Sequence, residues 1–172
     1  FLTIDSLSGN VYNMHSRPLI ENDSFKLDLT GKFMDVAPMQ LQYAQSYFDT
    51  MQNFRFDVTL GQWPMSAVNT LLGPLNSIEF RRGLSDSMWL SAVGDKYRAY
   101  GWMGFNYEKM RMGVLKDGLH EKYFLSGLIN AGTNLLLLNN NEGNPTPFYT
   151  ERLINKATFN YWGKIMSAGL QG

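Results

Sequence analysis

The chain has 172 residues, 44% of them hydrophobic and 17% charged, and fifteen basic side chains balance fifteen acidic ones. That length suits one domain with a self-sufficient core, and the zero net charge excludes a whole-molecule field drawing it to nucleic acid or an anionic membrane. The sequence has no cysteine, which excludes disulfides, thiolate catalysis and Cys-ligated metal centres.

Aromatic residues are plentiful: 11 Phe, 9 Tyr and 4 Trp. With so few charges they argue against disorder. They suit either an aromatic β core or a surface covered by neighbouring subunits. No apolar run approaches the ~20 residues of a membrane-spanning helix. Residues 1–5 lack the basic region and hydrophobic segment of a signal peptide.

In chain order, Leu2 and Ile4 alternate with Thr3 and Asp5. Ser8, Gly9 and Asn10 supply turn chemistry, so Val11 and Tyr12 are expected to return as the second arm of a hairpin. Phe25, Leu27 and Leu29 alternate with Lys26, Asp28 and Thr30, the pattern of a half-buried strand, and Gly31 marks a bulge before Phe33. Leu41, Ala44, Phe48 and Met51 recur at three- and four-residue spacing after Pro38, which predicts a helix over 38–51.

Residues 54–60 carry the sharpest strand signal, with Phe54, Phe56 and Val58 facing one side and Arg55, Asp57 and Thr59 the other. Residues 64–72 read as a short helix or turn that Gly73 and Pro74 stop. Ile78 and Phe80 mark another strand. Residues 88–115 are long, aromatic and interrupted by glycine. Tyr97, Ala99, Met103, Phe105 and Tyr107 fit one face there; Arg98, Tyr100, Trp102, Asn106 and Glu108 fit the other. A strand with large side chains on both faces is expected to be buried twice, by its own core and by a partner.

Lys116, Asp117 and Gly118 signal a tight turn. Phe124, Leu128 and Ile129 follow without a clear period. Residues 135–138 read as a buried strand, and 139–147, rich in Asn, Gly and Pro, as an exposed loop. The last segment fits both periods. Leu153, Ile154, Ala157, Tyr161 and Ile165 suit a helix, whereas Ala157, Phe159 and Tyr161 suit a strand. The reading is a single mainly β domain over 1–172, a β-sandwich or barrel with one or two short helices. Residues 1–45 are open to reading as an N-terminal extension or arm.

No motif assembles a catalytic centre. His15 and His120 are far apart in sequence and lack ligand-spaced partners. There is no nucleophile elbow and no phosphate loop, and Gly101 and Gly104 lack the strand–turn–helix setting of a dinucleotide site. Glu108, Asp117 and Glu121 have no fixed mutual geometry of the kind that paired catalytic acids need. The asparagine run with Glu142 lacks the alternating acidic ligands of a calcium loop. Asn22, Asp23 and Ser24 match a glycosylation triplet that is common by chance. The chain is therefore read as a non-enzyme with no metal and no organic cofactor. Arg81 and Arg82 form a small basic pair better suited to a subunit contact or a solvated edge than to nucleic acid.

From Asn53 to about residue 165 the order of segments resembles the tail-tube proteins of contractile bacteriophages and related injection machines. The segments are NFRFDVTL, SIEFRRGL, AVGDKYRAYG, MRMGVLKDG and LLLLNNNEGNP, followed by an aromatic C-terminal piece. The resemblance implies a β-barrel or sandwich subunit that forms hexameric rings, stacked into a virion tube with other structural proteins. The balanced charge and the lack of a long apolar run are read as no sequence-specific nucleic-acid partner and no membrane partner. The subunit contact is expected at Tyr97, Tyr100, Trp102, Met103, Phe105, Tyr107, Arg81 and Arg82. Two other classes fit the residues: a soluble small-molecule-binding β-barrel, and an accessory subunit of a large complex.

Overall fold

Alternation in the sequence becomes a strand when one face finds a core, and residues 54–60 do so most clearly. In the computed structural model, which describes residues 3–14, 23–69, 78–114, 140–142 and 144–171, these seven residues form a strand. Phe54, Phe56, Val58 and Leu60 are buried and Arg55 and Thr59 exposed. Counting from the N-terminus, the strands are β1 (Ile4–Tyr12), β2 (Ser24–Phe33), β3 (Ala37–Ser46), β4 (Phe54–Leu60), β5 (Trp63–Pro64), β6 (Ile78–Gly94), β7 (Arg98–Val114), β8 (Asn140–Glu142) and β9 (Thr146–Glu151). A 3-10 turn spans Met65–Val68, and a helix, α1, spans Thr158–Gln171.

The mainly β architecture with a short helix is as expected. All the described strands join one antiparallel sheet, in the order β1-β2-β3-β4-β6-β7-β8, with β5 paired to β6 and β9 to β7. The second layer is α1, which packs against β9, β7 and β6.

Several local expectations are corrected. Residues 38–51 are not a helix. Ala37, Met39 and Tyr43 are buried at period two while Gln40 and Gln42 are exposed, and β3 runs in register with both β2 and β4. Pairing on both edges outweighs a three-to-four spacing that had no flanking sheet to compete with. Residues 4–12 are not a hairpin but one strand, in which Ser8, Gly9 and Asn10 pair with Thr30, Leu29 and Asp28. Gly9 serves close approach rather than a turn: a Cβ there would lie 2.1 Å from the Asp28 carbonyl oxygen. The bulge anticipated at Gly31 lies across from it. Ser6 and Leu7 interrupt the β1 register opposite Gly31, and Ser6 takes φ 51°.

Residues 139–147 are not simply a loop, because Asn140–Glu142 pairs with β7 and β9 begins at Thr146. In the 64–72 segment, Asn69 imitates a strand: its amide donates to the Phe80 carbonyl (2.9 Å) and its side-chain oxygen accepts the Phe80 N–H (2.7 Å). The ambiguous tail resolves as helix, with Tyr161 and Ile165 buried one turn apart. The features expected at His15, Asn22, residues 70–72, the tight turn at Lys116, Asp117 and Gly118, His120, Glu121, Phe124, Leu128, Ile129 and residues 135–138 lie outside the described residues.

Aromatic rings fasten α1 to the sheet. Phe56 stacks on Trp162 with centroids 5.1 Å apart, Tyr43 lies 5.1 Å from the same indole, and Phe54 meets Tyr161 edge-on at 5.6 Å. Such pairs contribute about 0.5–1.5 kcal/mol each beyond area burial. Trp63 Nε1, Ser85 Oγ and Tyr107 Oη are buried with no hydrogen-bond partner among the described residues, a cost on the order of 1–3 kcal/mol each if nothing else satisfies them.

Candidate interaction surface

The face of the sheet opposite α1 is built by the polar half of each alternating strand until it reaches β7 and β9, where it turns aromatic. The β4–β6–β7–β9 register lines up Arg55, Val93, Tyr100 and Tyr149 in one cross-strand row. The next row holds Asp57, Ser91, Trp102 and Pro147. Tyr100, Trp102 and Tyr149 are each more than half exposed, and Val93 is 38% exposed. Alternation forces this placement, since their neighbours Ala99, Met103 and Phe148 are spent on the core.

Polar groups border the aromatic patch on the β4 side. The Asp57 carboxylate accepts hydrogen bonds from Arg55 Nε (2.6 Å) and from Ser91 Oγ (2.6 Å). This hydrogen bond and the carboxylate charge hold the Arg55 guanidinium above its ordinary pKa. At the turn of the β6–β7 hairpin, Asp95 Oδ1 accepts the backbone N–H groups of Tyr97 (2.7 Å) and Arg98 (3.0 Å), closing the turn. A surface groove of about 680 Å³ runs there, lined by Arg55, Asp95, Arg98, Tyr100 and Tyr149 among others. Arg98 stands 3.8 Å from Asp95 on its lining.

The residues expected at a subunit contact separate into four places. Tyr100 and Trp102 share the exposed patch. Tyr97 is exposed but sits in the hairpin turn before β7, not on a strand face. Met103 and Tyr107 are 2% and 1% exposed and belong to the chain's own core, and Phe105 is half-buried against Trp63 and Tyr107. Arg81 and Arg82 are exposed on the far half of β6, roughly 30 Å along the strand from Ser91, beside Trp102, at ~3.3 Å per residue. Sequence reading missed Tyr149, Val93 and Pro147. The alternation of Phe148 and Thr150 with Pro147 and Tyr149 carried the signal, but the strand was read as the end of a loop and the start of an ambiguous tail.

A second apolar surface lies on the helix side of the sheet. Ile4, Leu7 and Val11 are 42–55% exposed along β1, beyond the strands that α1 covers. Among the described residues β1 pairs with β2 alone and so forms a sheet edge.

Among the described residues no group of three or more His, Asp or Glu side chains is placed to hold a metal ion, and no helix is long and apolar enough to cross a membrane. Comparison of the chain with protein-family models, with curated proteins and with solved structures finds no match.

Proposed function

We propose that this chain is a structural subunit repeated in a large protein assembly, using the Tyr100–Trp102–Tyr149 face as a contact. The observation that supports this reading is the exposure of three large aromatics in two adjacent cross-strand rows. Scattered exposed apolar side chains are ordinary, but contiguous ones mark contacts, and Tyr and Trp are enriched where partners meet. The exposed β1 edge, with Ile4, Leu7 and Val11 beside it, adds a second place where another chain can dock. The assembly favoured by the order of sequence segments is the tail tube of a contractile injection machine, with hexameric rings in a virion.

One observation favours a different class. The groove of about 680 Å³ beside Tyr100 and Tyr149 falls within the size range of small-molecule sites, about 300–1,000 Å³. Size-exclusion chromatography with light scattering separates the readings. The subunit reading expects discrete oligomers or tubes, visible by electron microscopy, at high protein concentration. A strictly monomeric chain would overturn it, leaving the ligand-binding and accessory-subunit readings.

A further inference from the structure

Trp63, Ser85 and Tyr107 are consecutive members of one cross-strand row: Trp63 on β5 pairs with Ser85 on β6, which pairs with Tyr107 on β7. Their relative exposures are 5%, 0% and 1%. Each carries a polar atom with no hydrogen-bond partner among the described residues. Buried polar groups are rarely left unpaired, and three in neighbouring register positions point to a shared partner. Adjacent strands stand about 4.8 Å apart, so the row alternates large, small and large side chains. The serine is the short member between two rings.

The donor inventory narrows the partner. The indole N–H only donates, so it needs an acceptor. Each hydroxyl can donate or accept. A water oxygen accepts from the indole while its protons donate to hydroxyl oxygens, and no charged group is required. A cation is disfavoured by the indole donor, and nothing in the row neutralises an anion. The site also lies where the β6 register shifts against β7, between Ser85 and Ser87, a place where a regular ladder no longer satisfies every group. Burial pushes the Tyr107 phenol pKa upward, which keeps it a neutral donor.

We infer that the Trp63–Ser85–Tyr107 row holds an ordered internal water that bridges the indole N–H to the two hydroxyls. Such waters make two to four hydrogen bonds and belong to the fold. This site is independent of the proposed contact face.

Oxygen-17 relaxation dispersion tests the inference, because it counts long-lived waters without interference from exchanging hydroxyl protons. Ser85→Val removes the hydroxyl and adds volume at the centre of the row, and the count is expected to fall by at least one. The double variant Ser85→Ala with Tyr107→Phe removes two of the three partners without adding volume. It gives the same expected loss should the valine prevent folding. A wild-type protein with no long-lived water overturns the inference. So does an unchanged count in either variant whose circular dichroism matches the wild type.

Discussion

Tyr100 on β7 and Tyr149 on β9 are register partners that face solvent side by side, each more than half exposed. Their strands turn Ala99, Met103 and Phe148 inward in the same stretch. The exposed aromatics are therefore not poorly packed core residues. They stand on a sheet whose other face is occupied.

If this face is a contact, a charge at its centre should block it without harming the fold. Trp102→Glu is expected to dissociate the assembly to smaller species by light scattering while the far-ultraviolet circular dichroism stays unchanged. Burying an unpaired carboxylate is costly enough to abolish a moderate interface. An assembly of wild-type size in this variant would show that the contact lies elsewhere.

Phe56 is 1% exposed and stacks on Trp162 of α1. Truncating a core aromatic costs about 3–5 kcal/mol, so Phe56→Ala should lower the unfolding free energy in urea by that amount. A loss under about 1 kcal/mol would contradict the packing of helix on sheet.

Gly101 on β7 stands opposite Ala92 on β6, with no room for a side chain between the strands. A Cβ there would lie 2.1 Å from the Ser91 carbonyl oxygen and 2.8 Å from Ala92 Cα. Neither is the movable end of a side chain, so strands must part. Gly101→Ala is expected to destabilise by about 1–3 kcal/mol or more, read from the denaturation midpoint. By contrast Gly163, on the exposed side of α1, has open space around its missing Cβ. Gly163→Ala should raise stability by up to about 1 kcal/mol through helix propensity.

Two buried phenols tie stability to alkaline pH. Desolvation pushes Tyr43 up to about 12, partly offset by the charge of Arg152, and desolvation also raises Tyr161 well above its ordinary value. A pKa raised on folding means that the native state holds its proton longer than the unfolded chain does. The resulting stability is complete below the unfolded value of about 10 and is lost as pH rises through the folded values. Urea denaturation from pH 9 to 12 should show a falling midpoint. Tyr43→Phe, which keeps the ring and removes the titrating oxygen, should flatten that fall. An identical pH profile in the variant would contradict it.

Asp49 organises the connection between β3 and β4. It accepts the Met51 backbone N–H at 2.8 Å and bonds both the backbone and the amide of Asn53. The Met51 bond first, then the Asn53 side chain, hold the carboxyl below its ordinary pKa. Its stabilisation is thus present above pH ~4 and lost as pH falls through the folded value. Nuclear magnetic resonance titration of the Asp49 carboxyl should show a midpoint below that of a model peptide, and Asp49→Ala should weaken amide protection at Met51 and Asn53.

The sequence by itself determined the class of fold and the inward face of its strongest strand. The Phe54–Phe56–Val58 alternation needs only a local period of two and one apolar side, and both were legible. The same local signal failed at β3, where Met39, Leu41 and Tyr43 alternate with Gln40 and Gln42 but a three-to-four spacing overlies them. Two periods coexisted there, and only pairing with β2 and β4 chose between them. The tail was decided likewise by tertiary contact, because Tyr161 and Trp162 meet Phe54, Phe56 and Tyr43 only when the segment is helical. The exposed face was half legible. Tyr100 and Trp102 could be placed opposite Ala99 and Met103 by alternation alone. Their neighbour Tyr149 comes from some fifty residues away, and strand register, a long-range property, decides which distant side chains stand in one row.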